Sequence, residues 1–340
     1  MQADSEWAEL GAAPTFGSTT RAPRAGTLAM MRALVLLVFA LCALAGAGRA
    51  SAAFPGRNGK LLYIRENPAI ADPAGSGVTG LELWTANADG TGQKRIVAAT
   101  YESGVGEEAQ WSPDGRRIAF SSDCGNKYDL SCGDVEVVAA SGQDRREITH
   151  AAAQHPSGLD DSPTWSPDGT RLAFSRGPVD APEPGVYVAS LGGGRLTRIV
   201  KIEYGSLAWS PDGSRIAFVW RRADIGFYVG VMNADGTRAR IVARAWGNAP
   251  AEPDWSPDGT RIVFAKGDLG ASRICIVRAR GGRVRCLISG YAPAWSPDGQ
   301  EIAFSRDGDI WVMRADGTGS RNVTRTPGFG EESPDWQPLR

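Results

Sequence analysis

The chain has 340 residues, of which 42% are hydrophobic and 22% charged, with a formal net charge of −1. That length allows a large core, and the near-zero charge removes the general electrostatic case for binding nucleic acid or anionic membranes. The 43 glycines and 21 prolines fit many tight turns and exclude a collagen-like or disordered chain.

Residues 1–29 carry no hydrophobic period and read as a disordered or untranslated extension. Met30 and Met31 open a different segment. Arg32 supplies a positive charge, residues 33–47 form an apolar run, and Ala50-Ser51-Ala52 is a small-residue cleavage site. The run is short for a membrane span. Residues 30–52 therefore read as a secretory signal peptide, with translation starting at Met30 or Met31 and the mature chain starting near Ala53. A retained anchor is the alternative. A lipoprotein signal fits poorly, because Cys42 follows Leu41 where a small residue is wanted.

From Ala53 onward one sentence repeats: Trp-Ser-Pro-Asp-Gly, at 111–115, 165–169, 209–213, 255–259 and 295–299. Asp335-Trp336-Gln337-Pro338 is a sixth, truncated copy. The tryptophans lie 54, 44, 46, 40 and 41 residues apart. Short strands at a period in the forties read as propeller blades, since one small sheet cannot bury its own faces and must stack on neighbours. In each copy Pro presets φ at the second position of a type I turn and Gly closes it. The Asp of the turn (114, 168, 212, 258, 298) is read as an acceptor for local backbone N–H groups, not as a metal ligand. Arg-Arg-Ile-Ala-Phe and its equivalents then resume a strand.

Residues 58–64 (NGKLLYI) match the second half of the repeat without its Trp half, and Trp336 supplies a Trp half without the rest. The expected fold is all-β: a six-bladed β-propeller of four-stranded antiparallel blades, closed by pairing of the C-terminal strand with the N-terminal blade. The third strands are legible too, as LELWTAN, VEVVAAS, VYVAS, FYVGVMN, RICIVRA and DIWVMRA, followed by turns of the Asp-Gly and Gly-Gly kind and by fourth strands QKRIV, RREIT, LTRIV, RARIV, VRCLI and RNVT. No stretch keeps a helical period.

Four cysteines follow the signal. Cys275 and Cys286 flank Arg280-Gly281 five residues out on each side, which places them opposite each other on a hairpin, within disulfide range. Cys124 and Cys132 close a short loop and are read as a second disulfide. A four-thiolate zinc site would need CxxC spacing, which is absent.

The repeats with their Ile-Ala-Phe strands, and the Asp-Gly-Thr-Gly turns at 89–92 and 316–319, resemble the TolB-type, WD40-like β-propeller repeat. The resemblance runs from residue 54 to the C-terminus and does not extend to the α/β domain that precedes TolB's propeller. It implies a bacterial protein exported to the periplasm or beyond. Fold does not fix function, so the site must carry that argument.

No P-loop, HExxH, EF-hand or Gly-x-Ser-x-Gly motif appears. The two histidines, His150 and His155, share one loop and are read as solvated. What recurs is acid just before the inner strands: Glu107, Glu108, Asp160, Asp161, Glu252, Asp254, Glu331, Glu332 and Asp335. Inner strands line a propeller's channel, so these residues would gather at one mouth and focus negative potential there. The expectation is a non-enzymatic scaffold, monomeric and without stable membrane insertion, that binds a protein or peptide of the cell envelope at that mouth. No cofactor is called for beyond a possible Ca²⁺ on the carboxylates. The rival reading is a carbohydrate- or small-molecule-active hydrolase or lyase using a divalent cation there.

Overall fold

The computed structural model describes residues 54–71, 79–100, 104–123, 133–150, 159–177, 183–201, 205–222, 226–245, 252–268 and 270–340. The extension, the signal segment, the Cys124–Cys132 pair and His155 lie outside them. Among the described residues every regular element is a strand.

Strands β1 (Arg57–Ala71), β2 (Thr79–Ala86) and β3 (Lys94–Val97) open the fold. They are followed by β4 (Val105–Trp111), β5 (Arg117–Asp123), β6 (Gly133–Ala139) and β7 (Arg146–Glu147). The third repeat gives β8 (Leu159–Trp165), β9 (Arg171–Gly177), β10 (Gly185–Ser190) and β11 (Thr197–Val200). The fourth gives β12 (Leu207–Trp209), β13 (Arg215–Arg222), β14 (Gly226–Asn233) and β15 (Arg240–Arg244). The fifth gives β16 (Asp254–Trp255), β17 (Arg261–Lys266), β18 (Arg273–Arg278) and β19 (Arg285–Ser289). The last gives β20 (Tyr291–Trp295), β21 (Glu301–Arg306), β22 (Asp309–Arg314) and β23 (Arg321–Asn322), before β24 (Glu331–Leu339).

Neighbours pair antiparallel in sequence order within each repeat, and β24 pairs with β1, giving the order β24-β1-β2-β3. The strands form five sheets rather than six, because one parallel bridge, Gly133 to Leu159, joins β4–β7 and β8–β11 into an eight-stranded sheet. None of the sheets closes on itself.

The repeated motif is explained by what its side chains fill. Successive residues of a strand face opposite sides, so in Ile118-Ala119-Phe120 the two large residues pack toward the first repeat and Ala119 toward the third. The small residue leaves room for the next tryptophan: Ala119 shares a cluster with Trp165, Ala173 with Trp209, Ala217 with Trp255 and Ala303 with Trp336. All six repeat tryptophans are buried, none more than 3% exposed. Six apolar clusters result, each shared by two successive repeats, and one of them unites the last repeat with the first (Ala303 and Val312 with Leu61 and Trp336).

The Ser-Pro-Asp-Gly turn is held as its chemistry demands. Gly115 N–H donates to Ser112 O at 2.8 Å, Ser112 Oγ to Asp114 Oδ1 at 2.6 Å, and Arg116 N–H to the same Oδ1 at 3.1 Å. Burial pushes the Asp114 carboxyl up, but the bonds from Ser112 and Arg116 outweigh it and the net shift is downward. Gly259 has φ +66°, and a Cβ there would meet Pro211 Cγ of the preceding turn at 3.0 Å, so both conformation and space require glycine.

The residue six after each of four tryptophans is an arginine, and it lies over the next repeat's indole. Arg117 stacks on Trp165 (4.8 Å), Arg171 on Trp209 (4.9 Å), Arg215 on Trp255 (4.7 Å) and Arg261 on Trp295 (4.7 Å). These contacts staple successive sheets. We expect Arg215→Ala to lower the urea-unfolding free energy by about 1–2 kcal/mol and Arg215→Lys to lose part of that. An unchanged midpoint for Arg215→Ala would show that the stack contributes nothing.

Candidate functional site

The residues just before the six repeat tryptophans converge on one cavity of about 80 Å³. Its wall is built from Glu108 to Gln110, Pro163, Ser206 to Ala208, Glu252 to Asp254, Ala292 to Ala294 and Ser333 to Asp335. That volume admits a few waters and is well below that of a small-molecule pocket. Four carboxylates line it, and no Lys, Arg or His does. A larger depression of about 450 Å³ lies between the turns at Pro257 and Pro297 beside Pro55 and Gly56. Its polar groups are engaged in the turns: Asp298 accepts from Ser296 and Gln300, and Arg261 covers Trp295.

The cavity carboxylates are tied down. Glu108 accepts from Ser206 Oγ at 2.5 Å, across the repeat of Pro163, and Glu252 accepts from Ala292 N–H at 2.7 Å. Asp254 accepts from two tryptophan amides, Trp255 N–H at 2.8 Å and Trp295 N–H at 2.7 Å. Asp335 accepts from Trp111 N–H at 2.7 Å and from Trp336 N–H. In four of the six repeats the residue preceding the Trp thus caps the amide of the next repeat's Trp. Gln110 does so for Trp165 and Thr164 for Trp209. Alanine stands at 208 and 294, where it offers no acceptor, and the following repeats carry Asp254 and Asp335, which serve both their own Trp and the next.

Burial drives both aspartates upward, Asp254 to about 7 and Asp335 to about 8, with the neighbouring charge of Asp254 adding to the second. The amide bonds oppose the rise without cancelling it. Each residue stays partly exposed on the cavity wall.

Of the nine acidic residues expected at the mouth, Glu108, Glu252, Asp254 and Asp335 reach the cavity wall. Asp160 and Glu331 do not. They are buried in ion pairs, Asp160 with Arg176 (2.6 and 2.7 Å) and Glu331 with Arg65 (2.8 Å). Asp161 accepts from the Ser162 amide at 2.7 Å, and the Glu107 side chain lies outside the described residues. Glu332 and Glu252, together with Glu66 and Asp307, act on a residue that sequence reasoning missed. Burial first, and then these four carboxylates, raise the Tyr291 hydroxyl to about 12. Glu66 lies close to this group because its amide is bonded to Gly330 O at 2.8 Å.

Among the described residues no three His, Cys, Asp or Glu side chains are grouped as a metal site, and no helix is long and apolar enough to cross a membrane. His150 is exposed and bonded to Glu147 at 3.0 Å. Cys275 and Cys286 are directly opposed on β18 and β19 and form the expected disulfide.

Repeated four-stranded antiparallel sheets, packed face to face on tryptophan and converging on one cavity, define a β-propeller. The family model of the TolB beta propeller domain matches residues 135–339, and the chain belongs to that family. Among solved structures it is similar to TolB from Acinetobacter baumannii (TM-score 0.67, 21% identity, 82% of this chain and 67% of that one). It is also similar to a protein assigned as TolB from Agrobacterium tumefaciens (0.56, 18%, 84% and 100%) and to a chain of a nidogen/laminin complex (0.63, 10%, 82% and 98%). At these identities the likeness is one of fold. No curated protein matches the chain.

Proposed function

We propose that the chain is an exported, six-bladed propeller, closed as a ring by β24, that acts as a non-enzymatic scaffold and binds a basic segment of a cell-envelope protein at its acidic mouth. The observation that carries the binding reading is the charge distribution. Glu66, Glu252, Asp307 and Glu332 act together on Tyr291, and the adjoining cavity wall has no cation, although burial keeps its Asp254 and Asp335 partly protonated at neutral pH. Clustered carboxylates above a low-dielectric wall raise the local concentration of a cationic partner.

Six inter-repeat clusters, the last joining the ends of the chain, support the ring of six. On this reading the Gly133–Leu159 bridge is a contact between two blades. The Cys275–Cys286 disulfide supports an oxidising compartment, as the apolar segment before Ala53 suggests. N-terminal sequencing of the secreted chain should begin near Ala53.

Calorimetry with a Lys- and Arg-bearing peptide tests the binding. We expect affinity that weakens as salt rises and falls by about tenfold or more in Glu66→Gln/Asp307→Asn/Glu332→Gln. Equal affinity in the triple variant would refute the site. A response to Ca²⁺ alone at millimolar concentration would replace the peptide with a cation as ligand.

A further inference from the structure

We infer that the ring breathes at one seam, between β20–β23 and the sheet that carries β24 and β1. The inference rests on the closed-ring reading above. Three devices hold successive repeats together besides apolar packing: a cap on the Trp amide from the preceding repeat, an arginine over the indole, and an indole N–H bond to the preceding repeat.

Trp165 has all three, from Gln110 and Arg117. Trp209 is capped by Thr164 and stacked by Arg171. Trp255 lacks the cap, since Ala208 precedes it, but keeps Arg215 and donates its indole N–H to Ala208 O at 3.0 Å. Trp295 has Asp254 and Arg261, and Trp111 has Asp335.

Trp336 has none of them. Its amide is capped only from within its own strand, by Asp335; the preceding repeat offers Ala294 at the capping position and Glu301 at the position of the stacking arginine, and the Trp336 indole N–H, like those of Trp111 and Trp295, is buried without a partner. Glu301 turns instead to Arg321 of its own sheet, at 2.7 Å. The polar bonds across this seam involve neither the Trp336 amide nor its indole. Glu331 N–H bonds Gly308 O at 3.0 Å and the Glu331 carboxylate reaches Thr324 and Thr326, while Gly56 N–H bonds Pro297 O at 3.2 Å, Asp298 N–H bonds Asn58 Oδ1 at 3.2 Å, Ser333 N–H bonds Ser305 Oγ at 3.1 Å, and Arg65 and Gln93 reach Thr326 Oγ1 and Thr324 O at 3.3 Å.

The element that moves is set by a second asymmetry. β24 is bonded to β1 from Arg57 to Arg65 and locked there by the buried Arg65–Glu331 pair, so it stays with the first sheet when the seam parts. The chain from Arg325 to Gly330 tethers the two sides, and the crack opens as a hinge. Both walls of the crack, at Ala292 to Ala294 and at Ser333 to Asp335, belong to the cavity. Opening at this seam therefore widens the channel without unfolding a sheet, and admits into it a group that about 80 Å³ excludes.

Hydrogen exchange on the mature chain tests this directly. The Trp336 amide is expected to exchange about tenfold or more faster than the Trp165 amide, with β20 exchanging faster than the other inner strands. Ala294→Gln and Glu301→Arg each restore a missing device and are expected to slow exchange at Trp336 without changing it at Trp165. Uniform exchange across the inner strands, or fastest opening at another tryptophan, would overturn the inference even if both variants fail to fold, since the wild-type profile decides it. Rapid exchange along β1 together with β24 is a different outcome. It would overturn the closed ring itself, and with it the seam.

Discussion

Glu331→Gln is expected to destabilise the protein by about 3–5 kcal/mol, because it leaves the Arg65 guanidinium buried without its counter-charge. Arg65 and Glu331 face each other in the β1–β24 register, and both are buried. The guanidinium donates from Nε to Glu331 at 2.8 Å and from Nη2 to Gln93 at 2.7 Å, and it lies 4.1 Å over the Trp84 ring. Burial raises the Glu331 carboxyl, and its bonds to Thr324, Arg65 and Thr326 only partly offset that. The pair is therefore not a strong source of net stability; the cost lies in breaking half of it. Replacing both members, as in Arg65→Met/Glu331→Leu, should recover most of the loss, measured by urea unfolding. A single variant that matches the wild type would show that the pair is solvated and that β24 is held by its backbone ladder alone. Asp160 and Arg176 occupy the same register in β8 and β9. Asp160→Asn should cost a similar amount, yet it should leave β24 protected from exchange whereas Glu331→Gln should not.

The propeller was legible in the sequence because its determinants are local and recur. Ser-Pro-Asp-Gly closes the same hydrogen-bonded turn each time, and Ile-Ala-Phe places large and small residues on opposite faces each time. Cys275 and Cys286 could be paired because a two-stranded hairpin fixes its register by symmetry about the turn. The acidic mouth was only half legible. Counting back from each Trp assumes an unbroken strand, but Ser162, Glu252, Ala292 and Ser333 have positive φ, and each precedes a proline. Bulges there shift the pairing between Asp161 and Thr164 and between Tyr291 and Ala294. One slipped residue sends the next side chain to the other face, which is why Asp160 points into an ion pair and Asp335 into the channel. The signal was present: a proline two residues before Trp at 163, 253, 293 and 334 marks a strand that cannot be regular. The exchange of Ala for a capping side chain at 208 and 294 was visible too, but its meaning required knowing that the neighbouring Trp amide points there.

Stability is expected to fall on the alkaline side, by on the order of 2 kcal/mol between pH 6 and pH 9, through Asp254 and Asp335. Both carboxyls titrate higher in the fold, at about 7 and about 8, than the usual 3.8 of an exposed aspartate. The folded protein therefore holds protons that the unfolded chain has released. The contribution is complete below the unfolded value and is lost as pH rises through 7 and then 8. Both residues are partly exposed on the cavity wall, and solvent screening there keeps the loss below what fully enclosed groups would give. The turn aspartates act in the opposite sense. Asp114, Asp168, Asp212 and Asp258 are shifted downward, so their contribution is lost as pH falls into the acid range. Together the two sets place maximal stability in mildly acidic solution. Asp335→Asn should remove one step of the alkaline fall. It should also cost about 1 kcal/mol at pH 6, since an amide has one acceptor oxygen for the two tryptophan N–H groups that Asp335 now serves. Asp254→Asn should do the same for Trp255 and Trp295, and the double variant should be nearly flat from pH 6 to pH 9 in urea midpoint. A wild-type midpoint that rises or stays level over that range would mean that both carboxylates are ionised throughout, with the amide bonds outweighing the burial that opposes them.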